Sequence, residues 1–336
     1  MLKNIFFLFS TLFGLIFYYI FRKTPSFFYQ SYVRTYCFTR GMSQKFIFDL
    51  FKIFTLDKKI DENNFKTIFN QECNFNKIND EINKNGYYVF EEQLSANLVD
   101  SLVQFSLSTK CFFYDKDKKK HYDYFDKKLD DHIPTKFDYD ENDLYNNKII
   151  KSLLLDKVFL KIANNFFGTK PIYSAMNMWW SPVVKKEIDL EMELANQTAQ
   201  LFHFDLDRIK WLKFFIYLTD TSEYDGPHEY VEGTHKMFAK SSEIEKLGYQ
   251  RIPSSLINKH YPNKLKKITG KKGTIFVGDT SAIHRGSPPL INNRLVLVIE
   301  YANSLFGAEY KKIKSNTFDE IDSKYSFLIK EKIAKN

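Results

Sequence analysis

The chain has 336 residues, of which 44% are hydrophobic and 27% are charged, so it can bury a sizeable core. These values exclude a disordered chain, and three widely spaced cysteines without a Cys-x-x-Cys pair exclude a disulfide framework or a cysteine zinc site. The net charge is +8, but aspartates interrupt and flank the densest basic run, Lys116–Lys120. That pattern is typical of a solvated loop and predicts no nucleic-acid partner; a patch for a phosphorylated or membrane-bound substrate is the alternative.

The N-terminal stretch Ile5–Phe21 carries no charge over 17 residues. As a helix it would measure roughly 25 Å, close to the thickness of the hydrocarbon layer of a bilayer. Tyr18 and Tyr19 stand near one end, and Arg22-Lys23 follow, which slightly favours a cytoplasmic position for the rest of the chain. We predict a membrane anchor over residues 1–24. A cleaved signal peptide, or a hydrophobic helix packed on the domain or lying in the interface, are the alternatives.

Downstream of the anchor, residues 25–81 are aromatic and helical in pattern and predict a helical juxtamembrane segment. The compact domain is predicted to span residues 82–336. Its first local signals are the turn Asn85-Gly86, a short strand over Tyr87–Phe90, a helix behind the N-cap Ser95, and a helix over Asp156–Phe167 with Gly168 as C-cap.

From residue 172 onward the pattern changes to apolar, aromatic or β-branched runs bounded by Gly, Pro, Asp and Asn, which are strand signals. The runs are Ile172–Trp180, Trp211–Thr219, Thr274–Val277 and Leu295–Tyr301. Helices first and many strands later predict a mainly β protein behind the N-terminal hydrophobic helix, with a core that is a β-sandwich or a jelly roll and with flanking α-helices outside it.

His203-Phe204-Asp205 offers one imidazole and one carboxylate ahead of the strand that begins at Trp211. Ferrous iron in an oxygenase uses two imidazoles and one carboxylate on one face, which leaves the other face open. A His-x-Asp pair is a weak signal by itself, and the chain holds a second one, His121-Tyr122-Asp123. The second pair lies in a charged stretch with no strand signal beside it, and we interpret it as part of a loop.

The second imidazole is predicted to come from His284, just beyond the strand that ends at Gly278-Asp279. Ten residues further on, Arg294 opens the run LVLVIEY. A buried arginine pairs with a carboxylate through a planar fork, and the distal carboxylate of 2-oxoglutarate is a natural partner. A His-x-Asp pair, a distant downstream histidine and an arginine that opens the next strand form together a much more specific pattern than any one of them alone.

Three segments carry a family resemblance. Residues 199–236, AQLFHFDLDRIKWLKFFIYLTDTSEYDGPHEYVEGTHK, and residues 273–308, GTIFVGDTSAIHRGSPPLINNRLVLVIEYANSLFGA, resemble the phytanoyl-CoA dioxygenase family. The stretch NGYYVFEEQLSANLVDSL from Asn85 resembles the usual opening of that family. The resemblance spans roughly residues 82–310 and fades beyond them.

The resemblance implies a double-stranded β-helix that binds one Fe(II) through His203, Asp205 and His284 and binds 2-oxoglutarate through Arg294, with O2 as the other co-substrate. It implies hydroxylation with release of succinate and CO2. Related halogenases lack the carboxylate at the position of Asp205, so its presence favours hydroxylation. One departure is the turn EGTH, where the family commonly has Pro-Gly-Ser-His; this turn contains none of the ligands.

Three further side chains are candidates for a contact with the co-substrate. Gln200 lies three residues before His203, and Lys213 and Tyr217 fall on one face of the next strand, which would make them candidates if that face points inward. Trp179 and Trp180 precede the metal segment, and because alternate strand residues point to opposite faces, one of them can line the pocket while the other packs in the core.

Three polar residues near the predicted ligands are assigned weaker roles. His228 and His235 are predicted to be hydrogen-bonding turn residues, with metal ligation as the alternative. Arg208 is predicted to form a local pair with Asp207, with a contact to an anionic substrate as the alternative.

A hydrophobic anchor favours a lipid or acyl-type substrate, although a tether can equally serve a protein or sugar substrate. Two other functions are compatible with the sequence: a non-catalytic, membrane-anchored binding or scaffold protein on the same fold, and a metal enzyme that does not use 2-oxoglutarate. The complete set of ligands argues against the first, and Arg294 argues against the second.

Overall fold

The computed structural model describes residues 2–54, 60, 66–70, 72–115, 118–123, 125, 136–183, 200–314 and 326–332. The helices are α1 (Leu2–Phe21), α2 (Ser26–Thr39), α3 (Met42–Phe54), α4 (Phe75–Asn85), α5 (Ala96–Ser108), α6 (Glu141–Asn146), α7 (Lys148–Leu154), α8 (Lys157–Phe167), α9 (Ser242–Leu247), α10 (Ser254–His260) and α11 (Ser326–Ile329). The strands are β1 (Tyr87–Val89), β2 (Cys111–Asp115), β3 (Lys118–Tyr122), β4 (Phe137–Tyr139), β5 (Ile172–Ser181), β6 (Trp211–Tyr217), β7 (His228–Val231), β8 (Leu265–Ile268), β9 (Ile275–Gly278), β10 (His284–Gly286) and β11 (Arg294–Ala302).

The strands form two antiparallel sheets. The larger sheet has eight strands in the order β1-β9-β6-β11-β5-β4-β2-β3, and the smaller has three in the order β10-β7-β8. One face of the larger sheet packs against the smaller one, with Phe215, Phe276 and Val298 meeting Tyr230 and Ile268. The core is therefore a jelly roll with flanking helices, as the sequence predicts.

The other face of the larger sheet is covered by the helical layer. Along β5, Met176 and Trp180 enter the core that the sheet shares with the helices. Trp179 lies on the opposite face, because strand residues alternate. Phe159 of α8 stacks on Phe214 of β6 with ring centroids 4.2 Å apart. Burying an aromatic side chain of this kind stabilises the fold by roughly 1.5–3 kcal/mol.

Element boundaries follow the local signals closely. α8 begins after Asp156, whose carboxylate accepts a hydrogen bond from the Val158 amide at 2.8 Å, and it ends at Gly168, which has a φ of 65°. Ser95 precedes α5 as predicted, but its side chain makes no capping hydrogen bond. The four predicted strands correspond to β5, β6, β9 and β11, with ends that differ by at most two residues.

The interpretation of the basic stretch around His121 as a loop is wrong. Lys118–Tyr122 form β3, which pairs with β2 and places His121 opposite Phe112. β3 is the last strand of the sheet, and lysines on an edge strand resist pairing with another molecule. Lys116 and Asp117 of the same run lie outside the described residues.

Helices α2 and α3 and most of α4 lie in the predicted juxtamembrane segment. The last of them belongs to the packed body of the protein, because Ile78 and Ile82 of α4 are buried in the same core cluster as the larger sheet. Phe69 joins that cluster as well. The core thus begins upstream of residue 82.

Helix α1 is long and apolar enough to cross a membrane by length and composition, although a helix of a soluble protein or a signal sequence can have the same properties. One side of α1 packs on α2. Near its end, Tyr18 is 1% exposed and its hydroxyl accepts a hydrogen bond from the Leu305 amide at 2.9 Å. This arrangement corresponds to one of the alternatives to a spanning anchor, namely a hydrophobic helix packed on the domain.

Candidate metal centre

Two backbone hydrogen bonds hold the two predicted histidine ligands side by side. The His203 amide donates to the His284 carbonyl at 3.0 Å, and the His284 amide donates to the His203 carbonyl at 2.8 Å. The two residues form an isolated antiparallel bridge between the segment before β6 and the start of β10. Both imidazoles therefore leave the backbone at one place, with ring centroids 4.4 Å apart.

Asp205 completes a cluster of three ligands. Its Oδ1 lies 3.6 Å from His203 Nε2, and its Oδ2 lies 3.7 Å from His284 Nε2. The ligand atoms of the three residues all lie within 4.8 Å of one another, which is close enough for one metal ion to bind all three. No other such group occurs among the described residues.

The tautomer of each imidazole is set by a backbone carbonyl. His203 Nδ1 lies 2.8 Å from the Leu201 carbonyl oxygen, and His284 Nδ1 lies 2.9 Å from that of Ala282. A carbonyl oxygen can only accept, so both Nδ1 atoms carry the proton and donate. The lone pairs are left on Nε2, which faces the cluster. A hydrogen bond of this kind orients a metal-binding histidine and raises its basicity as a ligand.

The electrostatics keep all three groups in the form that binds a metal. Burial and the neighbouring His284 lower the pKa of His203 to about 3, and burial lowers the pKa of His284 below its ordinary value. Burial alone would raise the pKa of Asp205, but Lys213 and the two histidines lower it below its ordinary range. Neutral imidazoles and an ionised carboxylate are the species that coordinate a divalent ion.

Lys213 lies beside the carboxylate ligand. Its Nζ donates to Asp205 Oδ2 at 2.7 Å and also lies 3.4 Å from Glu300 and 3.8 Å from Asp207. Burial would lower the pKa of Lys213, but these three carboxylates raise it above its ordinary value. Lys213 lines the cavity as predicted, with its charge already matched by acids of the protein.

Arg294, in contrast to Lys213, is a buried cation whose hydrogen-bond donors are mostly unused. It is 2% exposed, and its Nη2 donates to Ser181 Oγ at 3.1 Å. Its Nε and Nη1 are buried and have no hydrogen-bond partner within the described part of the chain. Burial lowers the pKa of Arg294 to about 10. Gly286 leaves room for the guanidinium, since a Cβ there would lie 3.1 Å from Nη2.

The cluster and Arg294 line one cavity of about 220 Å³. Gln200 lines it too, and its Oε1 is buried without a hydrogen-bond partner among the described residues. Of the two neighbouring tryptophans, Trp179 lines the cavity and Trp180 packs in the core. The structure thus brings together the three predicted metal ligands, Arg294, Gln200 and Lys213.

The more weakly assigned residues separate into two groups. His228 lines the cavity but is not part of the three-ligand cluster; burial and Arg294 lower its pKa well below the ordinary value. Arg208, Tyr217 and His235 do not line it. Arg208 donates through Nε to Ser174 Oγ at 2.9 Å, and the Tyr217 hydroxyl donates to the Ile268 carbonyl at 2.8 Å. His235 Nε2 lies 3.1 Å from a backbone carbonyl of α4.

Several cavity residues were not predicted from the sequence. Asn177 and Ser181 share with Trp179 the alternate positions of β5, so a period of two along this strand was the signal that could have identified them. Lys136 reaches the cavity with its amino group 4.7 Å from the Trp179 ring centroid, and no local pattern marks it.

No protein-family model and no curated protein matches the chain. Among solved structures, AviO1 from Streptomyces viridochromogenes Tue57 is similar at 15% identity, over 69% of this chain and 96% of its own, with a TM-score of 0.43. HygX from Streptomyces hygroscopicus, solved with nickel and 2-oxoglutarate, is 14% identical over 75% and 94%, with a TM-score of 0.45.

EctD from S. alaskensis, solved with 2-oxoglutarate and 5-hydroxyectoine, is 14% identical over 74% of this chain and 86% of its own, with a TM-score of 0.45. Values of this size do not establish a shared reaction. The resemblance to the phytanoyl-CoA dioxygenase family remains a prediction, and the function rests on the residues of the cluster.

Proposed function

We propose that the protein is an Fe(II)- and 2-oxoglutarate-dependent dioxygenase that hydroxylates an organic substrate. One oxygen atom of O2 would enter the substrate as hydroxyl, and the other would enter succinate as 2-oxoglutarate loses CO2. The observation that carries the proposal is that Nε and Nη1 of the buried Arg294 guanidinium have no hydrogen-bond partner among the described residues and lie on the same cavity as two imidazoles and a carboxylate.

The donor set fits ferrous iron. Two imidazole nitrogens and one carboxylate on one side of an ion, with open positions opposite, are typical of non-haem Fe(II) oxygenases. His203, Asp205 and His284 would hold the ion, and their backbone anchors fix the two imidazoles before any metal arrives. When bound, iron and 2-oxoglutarate would together activate O2, which is the oxidant, and no side chain of the cluster can supply this chemistry.

The cavity also fits a dicarboxylate. Nε and Nη1 of Arg294 offer three unused N–H donors in a buried place, which suits a carboxylate acceptor. Gln200 offers a further polar contact. Lys213 lines the same cavity, yet its ammonium lies on Asp205, so Arg294 is the stronger candidate for the distal carboxylate of 2-oxoglutarate.

The remaining cavity residues favour a substrate with both apolar and polar parts. Phe215 and Val298 form an apolar wall that limits water, while Asn177 and Lys136 supply polar contacts beside Trp179. A lipid or acyl-type substrate remains our proposal for its class. The hydrophobic α1 motivates it, and we further propose that the catalytic part works at the cytoplasmic side of a membrane.

A binding experiment tests the proposal without knowledge of the substrate. Metal-free full-length protein is titrated with Fe(II) and 2-oxoglutarate in the absence of oxygen, and the weak visible charge-transfer band of the chelate is followed. We expect a band for the wild type and none for His203→Ala. His260→Ala is the matched control: this histidine pairs with Glu243 away from the cavity, and its variant should keep the band.

Folded protein without the band would refute the proposed function. Tight binding of Fe(II) with no effect of 2-oxoglutarate would indicate a metal enzyme that uses another co-substrate. Absence of metal binding altogether would favour a non-catalytic binding or scaffold protein on this fold.

A further inference from the structure

Helix α1 exposes a continuous apolar face. Seven of its exposed large apolar side chains recur at helical spacing and form one face: Leu2, Ile5, Phe6, Phe9, Phe13, Ile16 and Ile20. Leu8, Tyr19 and Phe21 are exposed beside this face and widen it. Phe9 and Phe13, in the middle of the face, are 66% and 60% exposed. Phe27 of α2, 51% exposed, extends the patch by an edge contact with Phe6. A contiguous exposed patch of this kind marks an interaction surface.

The opposite face of α1 is occupied by α2. Ser10 Oγ donates to Ser31 Oγ at 2.9 Å, and the Thr11 and Thr35 hydroxyls lie 3.0 Å apart. Gly14 lets the helices approach closely, since a Cβ there would overlap a neighbouring side chain of α2 at 2.6 Å. Ser10, Thr11 and Gly14 thus all lie in this seam.

The helix pair is fixed to the jelly roll at several points. The hydroxyl of Tyr32, a fully buried residue of α2, donates to the Arg208 carbonyl at 2.9 Å. Lys240 Nζ donates to the Tyr36 hydroxyl at 3.1 Å. Near the end of α1, the Tyr18 hydroxyl accepts the hydrogen bond from the Leu305 amide described above. α1 is therefore a rigid part of the domain surface and does not project from it.

A spanning orientation conflicts with these contacts. Arg34 of α2 is exposed and lies over the Phe7 ring of α1, 4.7 Å from its centroid. If α1 crossed a bilayer with α2 still packed on it, this guanidinium would enter the hydrocarbon, which is unfavourable. If α1 crossed by itself, the seam with α2 would have to separate and Ser10 would lose its partner.

The charge of the chain is concentrated in this region. The first 54 residues contain seven Lys and Arg side chains and a single acid, Asp49, so they carry most of the net charge of +8. Arg22 and Lys23 lie at the end of α1, where they line a groove of about 900 Å³ together with Lys312. Basic groups beside an exposed apolar helix complement a membrane surface with anionic lipids.

We infer that α1 and α2 dock the protein on an anionic bilayer with α1 lying in the plane of the membrane and its exposed face in the boundary between headgroups and acyl chains. The inference deepens the proposed membrane location and is independent of catalysis. It changes the topology, because an in-plane α1 leaves both ends of the helix on the side of the catalytic domain.

Vesicle flotation tests the docking face. Full-length protein is mixed with neutral phosphatidylcholine vesicles and with vesicles that also contain phosphatidylserine. We expect stronger flotation with the anionic vesicles and weaker flotation in high salt. The double variant Phe9→Glu and Phe13→Glu should lower partitioning at least about tenfold. Leu290→Glu with Ile291→Glu is the matched control, since these residues are 60% and 63% exposed elsewhere on the surface.

Cysteine labelling tests the orientation. In a Cys37→Ser, Cys73→Ser background, a cysteine reporter replaces either Asn4, which lies beside the apolar face near the start of α1, or Lys266 in β8; both positions are exposed. Sealed membrane vesicles from expressing cells are treated with an impermeant maleimide before and after detergent. The remaining Cys111 is buried, and burial raises its pKa to about 11, so it should react little.

The in-plane arrangement predicts that the two reporters behave alike, both accessible or both protected before detergent. Opposite behaviour would show that α1 spans the bilayer and would overturn the inference. Absence of flotation, with a dimer in solution that the Phe9 and Phe13 variant dissociates, would also overturn it and assign the face to a second copy of the chain. The charge-transfer band of the wild type tests the proposed dioxygenase function in a separate experiment. Failure of the membrane docking and failure of the dioxygenase function can therefore be told apart.

Discussion

Replacing Arg294 by methionine should separate a co-substrate ligand from a structural residue. The guanidinium carries three unused donors on Nε and Nη1, and a hydrogen bond to a charged group contributes about 1.5–3 kcal/mol. Two such bonds to 2-oxoglutarate would be worth about 3–6 kcal/mol, so Arg294→Met should weaken 2-oxoglutarate binding at least about 100-fold. Arg294→Lys should bind 2-oxoglutarate with an affinity between those of the wild type and Arg294→Met, because an ammonium keeps the charge but offers no planar fork.

The same variant should not destabilise the metal-free protein. Burial lowers the pKa of Arg294 to about 10 from its ordinary value, which corresponds to a cost of about 3 kcal/mol for holding the charge. Methionine removes that cost and keeps most of the volume. The free energy of unfolding in urea should therefore stay constant or rise.

Arg208→Met is the matched control for both measurements. Arg208 is also buried, at 3% exposed, but its donors are used by Ser174 and by backbone carbonyls. Its loss should destabilise the protein and leave 2-oxoglutarate binding to the remaining folded fraction unchanged. If instead Arg294→Met lowered the free energy of unfolding and bound 2-oxoglutarate like the wild type, Arg294 would be a structural residue and our reasoning would be wrong.

Three further predictions concern the same cavity. Because the pKa of His203 is already about 3, protons should compete little with the metal, and Fe(II) affinity should change less than about threefold between pH 7.5 and 5.5. If both histidines had ordinary pKa values, the Fe(II) affinity would fall about 100-fold over this range. A fall of that size in a pH titration would contradict the assignment. Lys213→Met should leave Asp205 without a counter-ion and so lower the Tm of the metal-free protein. Fe(II) should then raise the Tm of this variant by more than it raises that of the wild type. Loss of 2-oxoglutarate affinity with no change in Tm would instead assign Lys213 to the co-substrate. Gly286→Ala should crowd Arg294 and weaken 2-oxoglutarate about tenfold without a change in Fe(II) affinity, and equal weakening of both in parallel titrations would point to a general distortion of the site.

The residues of the candidate metal cluster could be predicted to lie together because part of their signal is local. His203 and Asp205 are two residues apart, and Arg294 follows His284 within one short segment before a clear strand. The surroundings of Arg294 could not be predicted in this way. They depend on the pairing of β11 with β5, which places Arg294 opposite Ser181, and such a register is set by tertiary packing.

Lys213 shows what the alternation of residues along a strand can predict and what it cannot. The alternation of β6 predicts only that Lys213 and Tyr217 share one face of the strand, and in the structure Lys213 lines the cavity while Tyr217 does not. The pairing of β6 with β11 puts Glu300 opposite Lys213, so the partner of this ammonium belongs to a strand far along the sequence. For the N-terminus, hydropathy predicts an apolar helix, but Ser10, Thr11 and Gly14 on one face are the signal for a packed helix pair.

The reciprocal backbone hydrogen bonds between His203 and His284 have a consequence for the lifetime of the protein. The two residues lie about 80 positions apart, so they become neighbours only when that long loop has closed at an entropic cost. A metal that needs both histidines binds the native chain and hardly binds the unfolded one. At a concentration of 100 times its Kd it would add about 2.7 kcal/mol to the stability. Iron supply would then control how much of this protein escapes degradation, as well as how much of it is active.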